Sequence, residues 1–237
     1  TAPSSLLRVR ELSTRLAIDI GGTFTDVVLQ RGTERFTTKV LTTHVDPTDG
    51  ALTGVGTVLD QSNTKPSSIE LVVHGTTLAT NALIQRCGAK TALLTTAGHR
   101  DVIEMAFENR FDQYDLNIDR AQPLVSRSLR IPIAERINAA GEVLTPLDLT
   151  TVDTALDVVE RARIESVAIG FLHSYANSKH EELVAARLSE RFQNVAVTLS
   201  SSVCPEIREY ERFSTACANA YVLPMMARYL IQLEKRL

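Results

Sequence analysis

An early segment of the chain, Asp19-Ile-Gly-Gly-Thr-Phe-Thr-Asp26, combines an acidic residue, a glycine pair and two hydroxyl side chains. Glycine has no Cβ, so a turn built on the pair would let backbone N–H groups approach an anion closely. The threonines would add hydroxyl donors for phosphate oxygens, and the aspartate would hold Mg²⁺ mainly through water. The alternative is an ordinary Gly-Gly hairpin with an aspartate beside it. The predicted phosphate-binding residues are Asp19, which is also the metal residue, Gly21, Gly22, Thr23 and Thr25.

A second candidate group begins at the histidine of His74-Gly-Thr-Thr77, where a short β-rich run ends. A junction between a strand and a helix is a common ligand position in α/β sheets, and the helix start offers free N–H groups. We therefore predict that His74, Thr76 and Thr77 are catalytic residues near the reacting group. The alternative is that Thr76 caps the helix and that His74 is a hydrogen-bonded structural histidine.

The elements that must position these residues follow from hydrophobic periodicity. Leu16, Ile18 and Ile20 alternate with polar or small residues and predict a half-buried strand. Two more strands, near 24–30 and 35–41, complete a predicted antiparallel meander. Asp46-Pro-Thr-Asp49 is typical of a helix start, with a capping aspartate followed by proline, and predicts a helix to about residue 60.

Strands and helices then alternate along the chain. A strand at 69–73, a helix at 76–86 and a strand at 90–95 predict a β-α-β unit with parallel strands. One strand is predicted over 129–137. The remaining predicted elements are strands at 166–172 and 195–199 and helices at 146–163, 178–192 and from about 206 onward. The pattern indicates an α/β fold.

Composition excludes several classes of partner. The chain has 237 residues and a net charge of −3, which gives no basic footprint for nucleic acid or for an anionic membrane. No apolar run approaches the ~20 residues that a membrane helix needs. The three cysteines, Cys87, Cys204 and Cys217, are far apart, which disfavours a disulfide framework or a zinc site and makes the reducing cytoplasm the simplest location. Charged residues at Glu108, Arg110, Asp112 and Asp115, and the alternating charges from Glu206 to Arg212, are typical of solvated surface and intrahelical pairs.

The segment from Asp19 to Asp26 resembles the first phosphate loop of the actin, Hsp70 and sugar-kinase superfamily. Further stretches are similar to the hydantoinase/oxoprolinase family, and they occur in that family's order over most of 15–237. They are His74–Ala82, Lys90–Asp101, Pro146–Asp148, Ser174–Asn177, Ser200–Thr215 and Asn219–Tyr221.

This resemblance implies an actin-like (ribonuclease H-like) lobe and an enzyme that uses ATP and Mg²⁺ to phosphorylate the carbonyl oxygen of a cyclic amide or ketone. It also implies two partners beyond the small substrate, namely a second lobe of the same subunit and a hydantoinase B-like subunit. The chain shows no second Asp-x-Gly-Gly-Thr segment, so we expect the second lobe to be missing. The expected organisation is a tail (1–14), the lobe (15–205) and a helix entering the next domain (206–237). Alternatives are a small-molecule kinase of the same superfamily and a non-catalytic fragment that serves only in complex assembly.

Overall fold

The structure, a computed structural model, is described here for residues 14–43, 46–107, 114–115, 117 and 121–237. Residues 1–13 of the predicted tail, and the charged residues Glu108, Arg110 and Asp112, lie outside these ranges. The chain divides into two units: the first runs to Gln85 and also includes Met226–Leu237, and the second is Arg86–Met225. The predicted lobe 15–205 thus includes residues of both units.

The first unit contains a four-stranded mixed sheet. Its strands are β1 (Thr14–Ile20), β2 (Phe24–Arg31), β3 (Glu34–Leu41) and β4 (Ile69–Thr76). They are ordered β3-β2-β1-β4, with β4 parallel to β1. β1, β2 and β3 form an antiparallel meander, which confirms the prediction from alternation. The alternating apolar side chains of β1 are buried on one face, while Asp19 is exposed on the other.

Two helices complete this part of the first unit: α1 (Pro47–Ser62) and α2 (Leu78–Gln85). The Asp46 side chain accepts a hydrogen bond from the Thr48 N–H, which confirms the predicted helix start. α1 ends at Asn63, whose left-handed backbone (φ 49°) closes the last turn. The helix packs Ala51, Val55 and Val58 into a core that it shares with β1, β2 and the segment Met226–Leu237.

Two glycines of α1 offer a matched pair of substitutions. A Cβ at Gly54 would lie 2.6 Å from Val27 Cγ2 of β2, whereas a Cβ at Gly56 would meet nothing within 4 Å. We expect Gly54→Ala to lower the free energy of unfolding by about 1–3 kcal/mol through overpacking. Gly56→Ala should raise it by about 1 kcal/mol, because alanine is the better helix former. Urea unfolding of both variants measures the difference, and equal changes would contradict this packing of α1 on β2.

The described part of the second unit has six strands: β5 (Thr91–Thr96), β6 (Arg130–Ile133), β7 (Arg136–Ile137), β8 (Val143–Thr145), β9 (Ser166–Gly170) and β10 (Ala196–Leu199). Four of them form a parallel sheet in the order β10-β9-β5-β6, while β7 and β8 form a small antiparallel pair. From β5 the chain passes to β6 at one edge of this sheet, whereas from β9 it passes to β10 at the opposite edge. The carboxyl ends of such strands are where α/β proteins commonly bind ligands.

The helices of the second unit are α3 (Val102–Met105), α4 (Leu149–Arg161), α5 (Lys179–Arg191), α6 (Ser200–Val203) and most of α7 (Glu209–Arg236). α4 and α5 pack on one face of the parallel sheet, and α7 packs Phe213, Ala216 and Ala220 on the other. Covering on both faces is typical of parallel sheets. α7 contains Pro224 and continues into the first unit, where it contributes Tyr229 and Leu233 to the core.

Two sequence predictions about these strands are wrong. β4 and β5 do not form one β-α-β unit, because β5 belongs to the second sheet. The single strand expected over 129–137 is broken between β6 and β7, where the Ala134 N–H donates to the Thr151 hydroxyl instead of to a strand. The break turns the Glu135 side chain inward, where it meets Thr96 and His180.

The predicted surface role of the charges near the start of α7 is also wrong for Arg212. Its side chain is fully buried and donates to the carbonyls of Glu206 and Phe171. Burial lowers the pKa of this guanidinium, the nearby acidic groups opposing the shift. Within the described ranges, we find no helix with both the length and the hydropathy to cross a bilayer.

None of the three cysteines, all of which lie among the described residues, takes part in a disulfide bond. Cys217 packs among the apolar side chains between α7 and the parallel sheet, and burial raises the pKa of its thiol to about 12. Because the thiolate is the reactive form, Cys217 is inert at neutral pH.

Candidate functional site

The glycine segment forms the tight turn between β1 and β2. The Gly21 N–H donates to the Phe24 carbonyl at 3.0 Å, which leaves Gly22 and Thr23 at the tip. Both tip residues are exposed. The turn therefore presents backbone and a threonine to solvent, as a phosphate-binding turn must.

A chain of hydroxyl groups anchors this turn from inside. The Thr25 hydroxyl donates to Thr42 Oγ1 (3.0 Å), and the Thr42 hydroxyl donates to the Gly21 carbonyl (3.0 Å). Thr42 also donates its backbone N–H to Thr23. Thr25 is fully buried, so the expectation that its hydroxyl faces a phosphate needs correction: it supports the turn from below. Sequence reasoning missed Thr42, although extending the β2–β3 register by one residue from Phe24 and Leu41 would have placed it beside Thr23.

Asp19 occupies the open face of the sheet. It is paired in register with Gly75 of β4 on one side and with Asp26 of β2 on the other. A Cβ at position 75 would lie only 3.2 Å from Asp19 Oδ1, so the glycine leaves space for the carboxylate. Lys39 binds Asp26 at 2.8 Å, whereas Asp19 takes part in no ion pair of the described residues. Asp19 thus keeps a carboxylate that is free to bind a cation.

The start of α2 lies against the end of β1. The Ile20 carbonyl accepts the Thr77 N–H at 3.1 Å and the Thr76 hydroxyl at 3.3 Å. Thr76 Oγ1 in turn accepts the Leu78 N–H, so this threonine caps the helix, as the alternative reading of the sequence had it. Asn81 donates to Thr77 Oγ1, and its amide nitrogen would lie 3.0 Å from a Cβ at Gly22. The structure therefore brings the glycine turn together with the exposed Thr77 and with Asn81.

His74 lies on the opposite face of the sheet from Asp19. Its Nδ1 is 3.3 Å from the Ile18 carbonyl, and because a carbonyl only accepts, Nδ1 carries the proton. The Tyr229 hydroxyl donates to Nε2 at 2.8 Å. Both ring nitrogens are therefore engaged within the first unit. This geometry corresponds to the structural alternative for His74.

Tyr229 makes this contact sensitive to alkaline pH. Burial, with a smaller contribution from Asp46, raises the pKa of the Tyr229 hydroxyl from 10.0 to about 12. A pKa that is raised in the fold favours the neutral phenol, so this stabilisation is present below pH 10 and is lost as the pH rises toward 12.

We therefore expect the free energy of unfolding to decline between pH 10 and pH 12, and Tyr229→Phe to remove part of that decline. Denaturant unfolding across this pH range measures it. The same comparison between pH 7 and pH 9 is the control, because the phenol is neutral in both the folded and the unfolded state there and the difference between the two proteins should stay constant. An identical pH dependence for Tyr229→Phe and the wild type would contradict the contribution of Tyr229.

The described residues contain no group of three or more His, Cys, Asp or Glu side chains that could hold a metal ion by themselves. The site offers one exposed carboxylate, from Asp19, beside a turn with exposed backbone. This donor set suits a hard cation such as Mg²⁺, which takes one or two protein carboxylates and completes its shell with waters and phosphate oxygens.

Comparisons with known proteins agree with the family that the motifs suggest. The family model described as hydantoinase/oxoprolinase N-terminal region matches residues 15–192. The caprolactamase alpha subunit of Pseudomonas jessenii is 37% identical over 93% of this chain and 33% of its own length. The acetophenone carboxylase gamma subunit of Aromatoleum aromaticum is 33% identical over 86% and 30%, and the 5-oxoprolinase of Saccharomyces cerevisiae is 32% identical over 91% and 20%.

A solved structure supports the same relationship. The crystal structure of the ATP-dependent caprolactamase from Pseudomonas jessenii superposes with a TM-score of 0.84 at 36% identity, over 93% of this chain and 33% of that one. This chain thus spans a third or less of the length of these relatives. Because the family model covers most of the chain, the chain belongs to the hydantoinase/oxoprolinase N-terminal region family.

Proposed function

We propose that this chain is the N-terminal region of an enzyme subunit that uses ATP to activate a cyclic amide for hydrolysis. Two relatives that are similar in sequence to this chain are a caprolactamase subunit and a 5-oxoprolinase, and the caprolactamase of known structure is ATP-dependent. An amide carbonyl is poorly reactive because of resonance. Transfer of the γ-phosphoryl group from ATP to the carbonyl oxygen would make the carbon electrophilic, and water would then add there. The ring nitrogen would leave as the amine when the C–N bond breaks, and a second water would hydrolyse the resulting acyl phosphate to a carboxylate and inorganic phosphate.

The observation that carries the proposal is the exposed glycine turn beside the unpaired carboxylate of Asp19. Backbone N–H groups of Gly22 and Thr23 would bind phosphate oxygens, and Gly75 keeps the space next to Asp19 open. Asp19 would hold Mg²⁺ there, and the ion, when bound, would neutralise charge on the phosphates. We further propose that the first unit is a lobe of the actin, Hsp70 and sugar-kinase type, which its meander and following helix support.

Other residues of the site have supporting roles in this proposal. Thr77 and Asn81 lie beside the turn and would contact the phosphoryl group or the substrate. Thr25 and Thr42 hold the turn from inside, and Thr76 fixes the start of α2. His74 would act as a positioning residue, because its hydrogen bond joins β4 to the Ile18 carbonyl of β1. A second lobe of the same subunit and a hydantoinase B-like subunit would complete the enzyme.

The test is ATP hydrolysis by the full-length protein with its partner subunit. Phosphate release should depend on a cyclic amide such as 5-oxoproline or caprolactam. Since one relative is a subunit of a ketone carboxylase, acetophenone with bicarbonate is tested as a second substrate. A stable phosphorylated product would instead indicate a small-molecule kinase, and no nucleotide binding at all would indicate an assembly role.

Gly22→Val tests the turn itself. A Cβ at position 22 would lie 3.0 Å from the Asn81 amide nitrogen, and the rest of the valine would cover the tip. We expect the dissociation constant for MgATP to rise about tenfold or more, because charge-assisted contacts to backbone N–H groups are lost. Calorimetric titration measures it, with Gly56→Val, at an open position on α1, as the control. Wild-type affinity in Gly22→Val would exclude the turn as the phosphate site.

A further inference from the structure

The second unit contains a polar cavity that the proposed nucleotide site does not use. Its volume is about 440 Å³, which lies within the ~300–1,000 Å³ typical of small-molecule sites. It is located where the chain leaves β9 and β10, beyond the carboxyl ends of two neighbouring parallel strands. Four of its lining residues are serines: Ser174, Ser178, Ser201 and Ser202.

The wall of this cavity is held in place by a buried carboxylate. Glu181 is fully buried and accepts four hydrogen bonds. The donors are the Phe171 N–H (3.0 Å), the Ser200 hydroxyl (2.6 Å), and the N–H (3.0 Å) and hydroxyl (2.6 Å) of Ser201. Ser174 donates to Ser200 at 3.1 Å. These bonds fix two of the cavity serines relative to β9, so little ordering is needed when a ligand binds.

The loop on the other side of the cavity is fixed as well. The Asn177 amide donates to the Gly141 carbonyl at 2.8 Å, and its oxygen accepts the Lys179 N–H at 3.1 Å. The motif Ser174–Asn177 and the start of Ser200–Thr215, which carry part of the family resemblance, thus form two walls of one cavity.

Two opposite charges at exposed positions line this cavity, and they form no direct ion pair with each other in the described structure. Lys179 and Glu182 are three residues apart on α5, so they lie on the same side of the helix. Neither takes part in an ion pair of the described residues, and Glu182 accepts a hydrogen bond from Ser178. A ligand with a single charge would complement only one of them. A ligand with a carboxylate and an ammonium group complements both, and the serine oxygens can accept further hydrogen bonds from it.

We propose that this cavity binds a small zwitterion of the amino-acid type, with its carboxylate toward Lys179 and its ammonium toward Glu182. Hydrolysis of a cyclic amide opens the ring to a molecule of this kind. The identification of the ligand as a reaction product therefore rests on the proposed function, whereas the charge complementarity does not.

Calorimetric titration of the full-length protein without ATP tests the inference separately from catalysis. The probes are glutamate, 6-aminohexanoate and glycine, with hexanoate, hexylamine and inorganic phosphate as singly functional comparisons. We expect one of the amino acids to bind, and Lys179→Met and Glu182→Gln each to weaken its binding about tenfold or more, since each removes a charge-assisted contact. Lys65→Met and Glu70→Gln, at exposed residues of the first unit, should leave binding unchanged.

The inference is overturned if none of the amino acids binds, if phosphate or hexanoate binds as tightly, or if the two cavity variants bind like the wild type. Loss of ATP hydrolysis with intact amino-acid binding would contradict the proposed function alone. Intact ATP hydrolysis without amino-acid binding would contradict this inference alone.

Discussion

Replacing Asp19 with asparagine should lower ATP hydrolysis by the full-length protein about a hundredfold or more, while the fold remains intact. The carboxylate lies on the open face beside Gly75 and takes part in no ion pair of the described residues, so its charge is available for a cation. The amide keeps the size and loses the charge that would hold Mg²⁺. Removing one electrostatic contact to a developing charge commonly costs about two to three orders of magnitude in rate. Phosphate release and calorimetric titration with MgATP measure both effects.

Asp26→Asn is the matched control. Asp26 lies opposite Asp19 in the β1–β2 register, but Lys39 already binds its carboxylate at an exposed position. We expect this variant to retain most of the activity, because exposed ion pairs contribute little. Equal losses in the two variants would indicate a general effect of charge on that face of the sheet, and unchanged hydrolysis in Asp19→Asn would remove Asp19 from the site.

Replacing Glu181 with glutamine should destabilise the second unit by about 3 kcal/mol. The carboxylate accepts two backbone N–H groups and two hydroxyls in a fully buried position. An amide has one accepting oxygen, so its NH₂ group must face the N–H of either Phe171 or Ser201. The serine hydroxyls can rotate, but a backbone donor cannot, and each buried donor left without an acceptor costs about 1–3 kcal/mol.

Urea unfolding monitored by circular dichroism measures this loss. Glu190→Gln, at an exposed position on the same helix, is the control and should change the free energy of unfolding by less than about 0.5 kcal/mol. If Glu181→Gln unfolded at the same urea concentration as the wild type, the four-bond arrangement around Glu181 would be wrong.

Local sequence signals predicted the parts of the fold whose partners are close in sequence. The meander follows from alternation and short turns, and the start of α1 follows from Asp46 and Pro47. The assignment of β5 to a second sheet was not predictable in this way, since its neighbours β6 and β9 lie far along the chain. Periodicity identifies a strand, but it does not specify which sheet the strand joins.

The same limit applies to the candidate site. The glycine turn and Asp19 could be predicted because the residue types and their spacing along the chain are sufficient to recognise them. Thr25 has the same hydroxyl whether it faces solvent or Thr42, so only the register shows that it points inward. The partner of His74 is Tyr229, which lies 155 residues away, and no local pattern links the two.

The first unit consists of two segments of the chain, one before and one after the second unit in the sequence. Tyr229 and Leu233 of the later segment complete the core that β1 and α1 begin. During synthesis on the ribosome, Arg86–Met225 must emerge before these two residues can pack. The second unit can therefore fold first, while part of the apolar face of the nascent meander remains exposed. A chaperone that binds extended apolar segments would bind the early strands. It would be released once the end of α7 has been translated and covers them.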